Sequence, residues 1–527
     1  MALKNKQCIL LLIIALAIFF RFFQLDSIPK GLYPDEAING NDAFFSLKDG
    51  DYKMVYPENN GREGVFIWLI SLSFSLFNVS VWSLKLIPAL IGTLTVLALY
   101  LFIKELFSLS TKYEEQSTNI ALLSSFFLAV SFWHINFSRI AFRAILVPFI
   151  LVYSFYFLIK GFKKQKMPYL GIAGMIFGMG FYTYSVFRLA VLLLVAALLA
   201  LILLYKDQIS RKKLFIYISY FLLAVVIIAF PLLIYFVQNP EMFLGRTGQV
   251  SVFAQENPIT AFIQSMLIHL ASFNFYGDAN WRHNFSGSPQ LYFPIGILFL
   301  IGIFISFKEL ISSLKQKSYS LFTIHFILIS WLLIMTIPAA LTYERIPHAL
   351  RIIGTIPVAY IFAGIGGLWM HNWLSKKTNK KLLIVICSLF VAFLTFAQFQ
   401  KYFIAWANHP EIENAFSYNY KKIGDYLNSL PDETQKIIIV NVSGVPVPYP
   451  DGIPMPTQSI IFFEIEKYKQ IRSFYILEKD LMKIEIEKPS VIIPMKYDKD
   501  LFEKIKTLSP GGMINNQNGI IFYEIQS

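Results

Sequence analysis

The chain has 527 residues, of which 56% are hydrophobic and 15% charged. Soluble domains carry about 25% charged and about 45–50% apolar residues, so these proportions exclude one ordinary soluble fold, a disordered chain, a collagen and a disulfide scaffold. The net charge of +13 points to nucleic acid only in a soluble protein, and in a membrane protein it must first be divided by side.

The N-terminus places Lys4 and Lys6 before an apolar run from Cys8 to Phe23. The run lacks a small-residue cleavage site, so it reads as an uncleaved first membrane helix. About 20 apolar residues cross a bilayer. Eleven segments qualify: 7–24, 82–103, 118–137, 143–159, 168–185, 187–205, 213–237, 291–307, 319–340, 349–371 and 382–404. Segment 65–78 is too short to cross easily and reads as an interfacial helix. Cys8 and Cys387 lie far apart in apolar runs, without metal-ligand spacing.

With the N-terminus in the cytoplasm, the short inner segments hold 19 basic residues against five acids. Every short lysine cluster then falls on one side, as the positive-inside rule requires. The inner side carries +14, the outer parts of 1–404 carry +2, and the tail from 405 carries −3. The basic balance is therefore an orientation signal, and no nucleic-acid partner is expected. Three long segments fall outside: 25–64, 238–290 and the tail 405–527. The tail alternates polar helix-like stretches at 410–430 and 498–508 with β-like runs at 436–442, 490–494 and 519–525, the pattern of a small α/β domain.

The membrane cores are almost free of ionisable groups, His325 being the main exception. This counts against an ion-coupled transporter. The polar signals gather on the outer side. Tyr33-Pro34-Asp35-Glu36 opens a predicted helix over 35–47, with Pro34 in its first turn and Asp35, Asn39 and Asp42 on one face. Acids favour helix N-termini in any case, but a carboxylate beside the membrane can also act as a general base. Arg62 and Glu63 stand before the interfacial helix, either as a charge pair or as substrate contacts. Arg139 and Arg143 are four apart and share a face if helical. Arginine's planar fork binds phosphate; the alternative is snorkelling to the interface. Tyr182, Tyr184 and Arg188 occupy the next outer turn, where an aromatic belt is the plain reading. Asp278, Arg282 and His283 lie in the 238–290 region, and Arg345, His348 and Arg351 precede the helix at 349–371. Nine of the ten arginines in 1–404 are outside: Arg21, Arg62, Arg139, Arg143, Arg188, Arg246, Arg282, Arg345 and Arg351. They oppose the orientation rule, so they need another reason, and an anionic headgroup or phosphate supplies one.

These stretches resemble the glycosyltransferase family 39 type of membrane enzyme, which includes protein O-mannosyltransferases and lipid A aminoarabinose transferases. The resemblance covers about 1–404. It is carried by the Asp-Glu pair of the first loop, by GREGVFIWLISLSFSLFNVSVWSLKLIPALIGTLTVLALYLFIKELF, and by FSRIAFRAILVP, GFYTYSVFRL, RHNFSGSPQL and PHALRIIGTIP. It implies a GT-C-type α-helical polytopic fold of about 11 transmembrane helices at 1–404, here followed by an extracytoplasmic α/β domain at 405–527. It implies an enzyme moving a hexosyl or pentosyl group from a polyprenyl-phosphate-sugar to a hydroxyl acceptor. The first-loop aspartate, the base in such enzymes, corresponds to Asp35, with Glu36 beside it. Arg139, Arg143, Arg188, Arg282 and Arg351 become candidates for the donor phosphate. Arg62, Glu63, Tyr182, Tyr184, Asp278, His283, Arg345 and His348 become candidates for substrate contacts. Many members have Lys-Pro-Pro where this chain has Arg62-Glu63-Gly64. No metal ligands or required cofactor are expected; acids such as Asp35, Glu36 and Glu63 admit a hard divalent metal that no spacing demands. A single base without a nucleophilic carboxylate favours inversion. The expected location is the plasma (inner) membrane, with a cytoplasmic N-terminus. The alternatives are a lipid or glycan transporter, a non-catalytic outer-face binding protein, and a lipid-linked oligosaccharide ligase.

Overall fold

The computed structural model describes residues 2–59, 61–244, 251–447, 452–483, 485–487 and 489–526. Arg246 therefore lies outside the described residues. The chain forms two compact units, one of residues 1–23 and 88–406 and the other of 24–87 and 407–527.

The first unit is helical. Among the described residues, eight helices of the chain are long and apolar enough to cross a membrane: Val81–Phe107, Arg143–Lys164, Ser185–Tyr205, Arg211–Gln238, Phe293–Gln316, Tyr319–Ala340, Ile353–Ser375 and Lys380–Trp406. Their apolar runs carry few charges, because charge at the bilayer centre is costly. Eight of the eleven expected spans coincide with them. The other three fall on the helix Ala2–Phe22 and on the shorter apolar helices Ser117–Ala129 and Met167–Tyr182. The expected span 118–137 is interrupted because Ser131 leaves the helix with extended backbone and its hydroxyl accepts the His134 N–H, starting a new short helix Phe132–Phe137. A side-chain acceptor at such a position satisfies an orphan N–H and favours a fresh start.

Burial separates core helices from peripheral ones. The apolar window of Ile353–Ser375 is 89% buried, whereas that of Lys380–Trp406 is 11% buried. A helix apolar all round but little buried faces lipid rather than protein. The central helix packs against Phe293–Gln316 and Ser117–Ala129. Glycine allows the closest approach: a Cβ on Gly302 would lie 1.8 Å from the Phe362 carbonyl oxygen, and one on Gly366 1.9 Å from that of Leu298.

The second unit contains a five-stranded sheet. Its strands, after the short pair β1 (Val55–Tyr56) and β2 (Arg62–Glu63), are β3 (Gln435–Val440), β4 (Phe474–Leu477), β5 (Ser490–Pro494), β6 (Met513–Gln517) and β7 (Ile520–Ile525), in the order β4-β3-β5-β7-β6. β3 runs parallel to β4 and β5, and β7 runs antiparallel to β5 and β6. Asn518 and Gly519 both have positive φ between β6 and β7, the Asn-Gly signature of a tight hairpin. Ile437, Ile439, Ile492, Leu501, Phe502, Tyr523 and Ile525 form the apolar core beside the sheet. The helix Pro34–Asp49 belongs to this unit and packs on the helix Gln458–Tyr468. Asn41 Nδ2 donates to the Gln458 carbonyl at 3.0 Å, and Ser459 Oγ donates to the Leu32 carbonyl at 2.8 Å. Glycine at position 40 lets them meet, since a Cβ there would lie 2.6 Å from the Phe462 ring.

Candidate active site

In the second unit the first-loop helix begins at Pro34, whose missing N–H is harmless in the first turn. Glu36 is fully buried and folds back to accept the Tyr33 N–H at 3.4 Å. This is the acidic half of a capping box. Asp35, one residue earlier, is half-buried and accepts from Asn59 Nδ2 at 3.2 Å. The helix stops at Gly50, whose φ of 73° closes its C-terminus on the Ser46 carbonyl.

Arg62 is 1% exposed and reaches back to this helix. It donates to Asn39 Oδ1 at 2.9 Å, to the Asp42 carboxylate, and to the Glu58 carbonyl at 3.3 Å. The Glu58 carboxylate lies 3.6 Å away. Register places Arg62 opposite Tyr56 and Glu63 opposite Val55, and Glu63 is buried. Tyr56 shares a 2.5 Å hydrogen bond with Ser46 Oγ; burial pushes its phenol up from the ordinary range. The spacing of Asp35, Asn39 and Asp42 thus puts two of the three on one arginine.

In the first unit, Arg139 and Arg143 do not share a helical face. Residues 138–142 are not helical, and Arg143 opens a 3₁₀ turn. Arg139 is fully buried and donates to the carbonyls of Phe20 at 3.2 Å and Arg21 at 2.9 Å. A cation on the last carbonyls of a helix suits the helix dipole. Its guanidinium also lies over the Tyr402 and Phe403 rings. Arg143 is half-buried over the Tyr184 ring, 5.4 Å from its centroid. Tyr182 is buried and donates to the Ile228 carbonyl at 2.9 Å. Arg188 donates to the Phe243 carbonyl at 2.6 Å and stacks on that ring.

The same unit brings Asp278, His283 and His348 together. Asp278 Oδ2 lies 3.0 Å from His283 Nδ1 and 3.9 Å from His348 Nδ1. The carboxylate is held by two backbone donors, Asn280 N–H on Oδ1 and Ala349 N–H on Oδ2, each at 2.8 Å. The His348 N–H donates to His269 Nε2 at 3.1 Å. Burial, then the neighbouring charges of His283 and Arg351, holds the His348 imidazole well below the usual histidine range. Arg282 is anchored through its carbonyl, which accepts from Asn136 Nδ2 at 2.6 Å. Arg351 donates to Thr342 Oγ1 at 2.9 Å and meets the Glu344 carboxylate at 3.3 Å. Arg345 is exposed. His269 carried no signal in the sequence, because it sits inside the apolar helix Pro258–Ala271.

The ArnT of Cupriavidus metallidurans, in a crystal structure bound to undecaprenyl phosphate, superposes with a TM-score of 0.57, covering 98% of this chain and 97% of that one at 12% identity. The fold is GT-C. The apo crystal structure of the same protein gives a TM-score of 0.53 at 13% identity, with the same coverage. Residues 64–235 match the family described as dolichyl-phosphate-mannose-protein mannosyltransferase. An uncharacterized protein of Aquifex aeolicus is 26% identical over 166 residues, 31% of this chain and 31% of that protein's own length. This GT-C chain therefore resembles the membrane glycosyltransferases of the mannosyltransferase and aminoarabinose-transferase type, and its spans make it a multi-pass membrane protein.

Proposed function

We propose that this protein transfers a sugar from a polyprenyl-phosphate-linked donor to a hydroxyl acceptor on the outer face of the inner membrane, with inversion and with Asp35 as base. The observation that carries the assignment is the division of labour among four first-loop acids, the adjacent Asp35 and Glu36, Asp42 on the same helix, and Glu63 beside Arg62. Glu36 caps its helix, Asp42 is taken by Arg62, and Glu63 is buried in β2. Asp35 alone of these four is half-exposed, at the first turn of a helix.

The chemistry balances with this chain's groups. The acceptor hydroxyl oxygen bonds to the anomeric carbon and its proton passes to Asp35. The bond from that carbon to the phosphate oxygen breaks, and polyprenyl phosphate leaves. Arginines on the leaving phosphate lower the barrier by stabilising the charge that develops there. We assign that role to Arg143, Arg188, Arg282 and Arg351, with Arg139 holding the turn from which Arg143 projects. Tyr184 and Arg345 are assigned to the surrounding substrate surface, whereas Tyr182 is buried with its hydroxyl on the Ile228 carbonyl and is assigned to packing. One feature supports the orientation: with a cytoplasmic N-terminus and alternating spans, every short lysine cluster falls on the inner side.

The test is Asp35→Asn in purified full-length protein, reconstituted with a polyprenyl-phosphate-sugar. Turnover should fall by about 10²–10⁴-fold, the usual contribution of a general base, with an unchanged melting temperature. Wild-type turnover in Asp35→Asn would remove the base assignment. Retention of the donor's anomeric configuration in the product would remove inversion.

A further inference from the structure

We propose that Asp278, His283 and His348 form a binding site for a divalent transition-metal ion of the Zn²⁺ class. One ligand atom from each of the three lies within 4.8 Å of the others. Tetrahedral Zn²⁺ with arms of about 2.0–2.2 Å holds its ligands about 3.4 Å apart. The Asp278 Oδ2 to His283 Nδ1 distance of 3.0 Å must open by about 0.4 Å, and the 3.9 Å to His348 Nδ1 must close by about half an ångström. Two imidazoles and a carboxylate are the donor set that suits this class of metal rather than Mg²⁺ or Ca²⁺.

A plain Asp–His hydrogen bond accounts for His283 but not for His348. His348 Nδ1 is buried without a hydrogen-bond partner, and an unsatisfied buried polar atom costs about 1–3 kcal/mol. Its atom faces the same carboxylate oxygen as His283 Nδ1, with the two rings 4.9 Å apart. The ligands are also held from behind, as metal ligands generally are. Asn280 and Ala349 fix the carboxylate, and His269 fixes the His348 backbone. Gly277 lets the loop close, since a Cβ there would lie 2.1 Å from the Ser288 carbonyl oxygen. Three protein ligands leave a fourth position open. Arg351 and Arg282 act electrostatically on His348 and favour an oxygen anion there.

The test does not use turnover, so it stands apart from the reading of Asp35. Tag-free, chelator-treated full-length protein in detergent is titrated with Co²⁺ alone. One Co²⁺ per chain should bind with the visible bands of a low-coordinate site, and Zn²⁺ should displace it. His348→Ala and His283→Ala should lose the bands while melting like the metal-free wild type. His269→Ala, behind the ligands, should weaken binding by about 10–100-fold. The proposal is overturned by a wild type that binds no stoichiometric Co²⁺, or by binding that survives unchanged in both histidine variants. Asp278→Asn is avoided, because that side chain also organises the loop backbone.

Discussion

The Arg62 guanidinium binds the Asp42 carboxylate two turns along the helix from Asp35, and both partners are buried. Such a pair contributes little over apolar replacements, but breaking it by removing one member costs about 3–5 kcal/mol. Arg62→Ala strands Asp42 and Asn39 together, so we expect it to lower the melting temperature of the full-length protein sharply. Any loss of transfer should track the folded fraction. Arg62→Ala melting like the wild type, with only KM raised, would instead make Arg62 a substrate contact.

Glu36 and Asp35 are adjacent yet should separate cleanly. Glu36 accepts a backbone N–H and is sealed from solvent. Glu36→Gln keeps an acceptor and should keep most transfer activity. Glu36→Ala removes the cap and should cost about 0.5–2 kcal/mol, read as lower thermal stability. A thousandfold loss of turnover in Glu36→Gln at wild-type stability would move the base from Asp35 to Glu36.

The apolar runs were legible because long stretches of Leu, Ile and Phe without charge have few other uses. The strands 435–440, 490–494 and 520–525 showed as short β-branched runs. The break at Ser131 was not legible, since a serine between apolar residues is equally common inside a membrane helix. The partnership of Arg62 with Asp42 was half visible, as Asp35, Asn39 and Asp42 at i, i+4 and i+7 had no stated partner. Asn41 and Gln458 meet across 417 residues of chain, and no local pattern encodes such a contact. The gathering of Asp278, His283 and His348 was likewise hidden: the first two are five residues apart, but the third comes from another polar stretch.

Gly302 and Gly366 make a direct prediction about helix packing. Their missing side chains let Phe293–Gln316 and Ile353–Ser375 approach to backbone contact, as small residues do between membrane helices. Even Gly302→Ala places a Cβ 1.8 Å from a carbonyl oxygen, which no rotamer relieves. We expect Gly302→Ala to lower the thermal stability of detergent-solubilised protein and Gly302→Leu to abolish its monodisperse peak. Gly367→Ala is the control, because a Cβ there meets nothing nearer than 3.5 Å and should leave stability within about 0.5 kcal/mol. Equal behaviour of the three variants would show that the two helices are not so closely packed.

Glu464 gives the pH dependence of the sheet-containing unit. It is 1% exposed and accepts from Ser473 N–H at 3.0 Å, Ser473 Oγ at 2.6 Å and Tyr475 Oη at 2.7 Å. Burial pushes its carboxyl above the ordinary range, and the hydrogen bonds oppose this only in part. The folded chain therefore keeps a proton that the unfolded chain releases at about pH 4.3. The stability this gives is complete below that pH and is lost as pH rises through the raised folded value. Glu464→Gln mimics the protonated acid at every pH, and the Tyr475 hydroxyl can turn to accept from the new amide. Hydrogen exchange at β4 in the full-length protein should become faster from pH 4 toward neutrality, beyond the intrinsic pH effect, in the wild type only. Identical pH slopes for wild type and Glu464→Gln would show that the carboxylate is ionised in the folded state at no net cost.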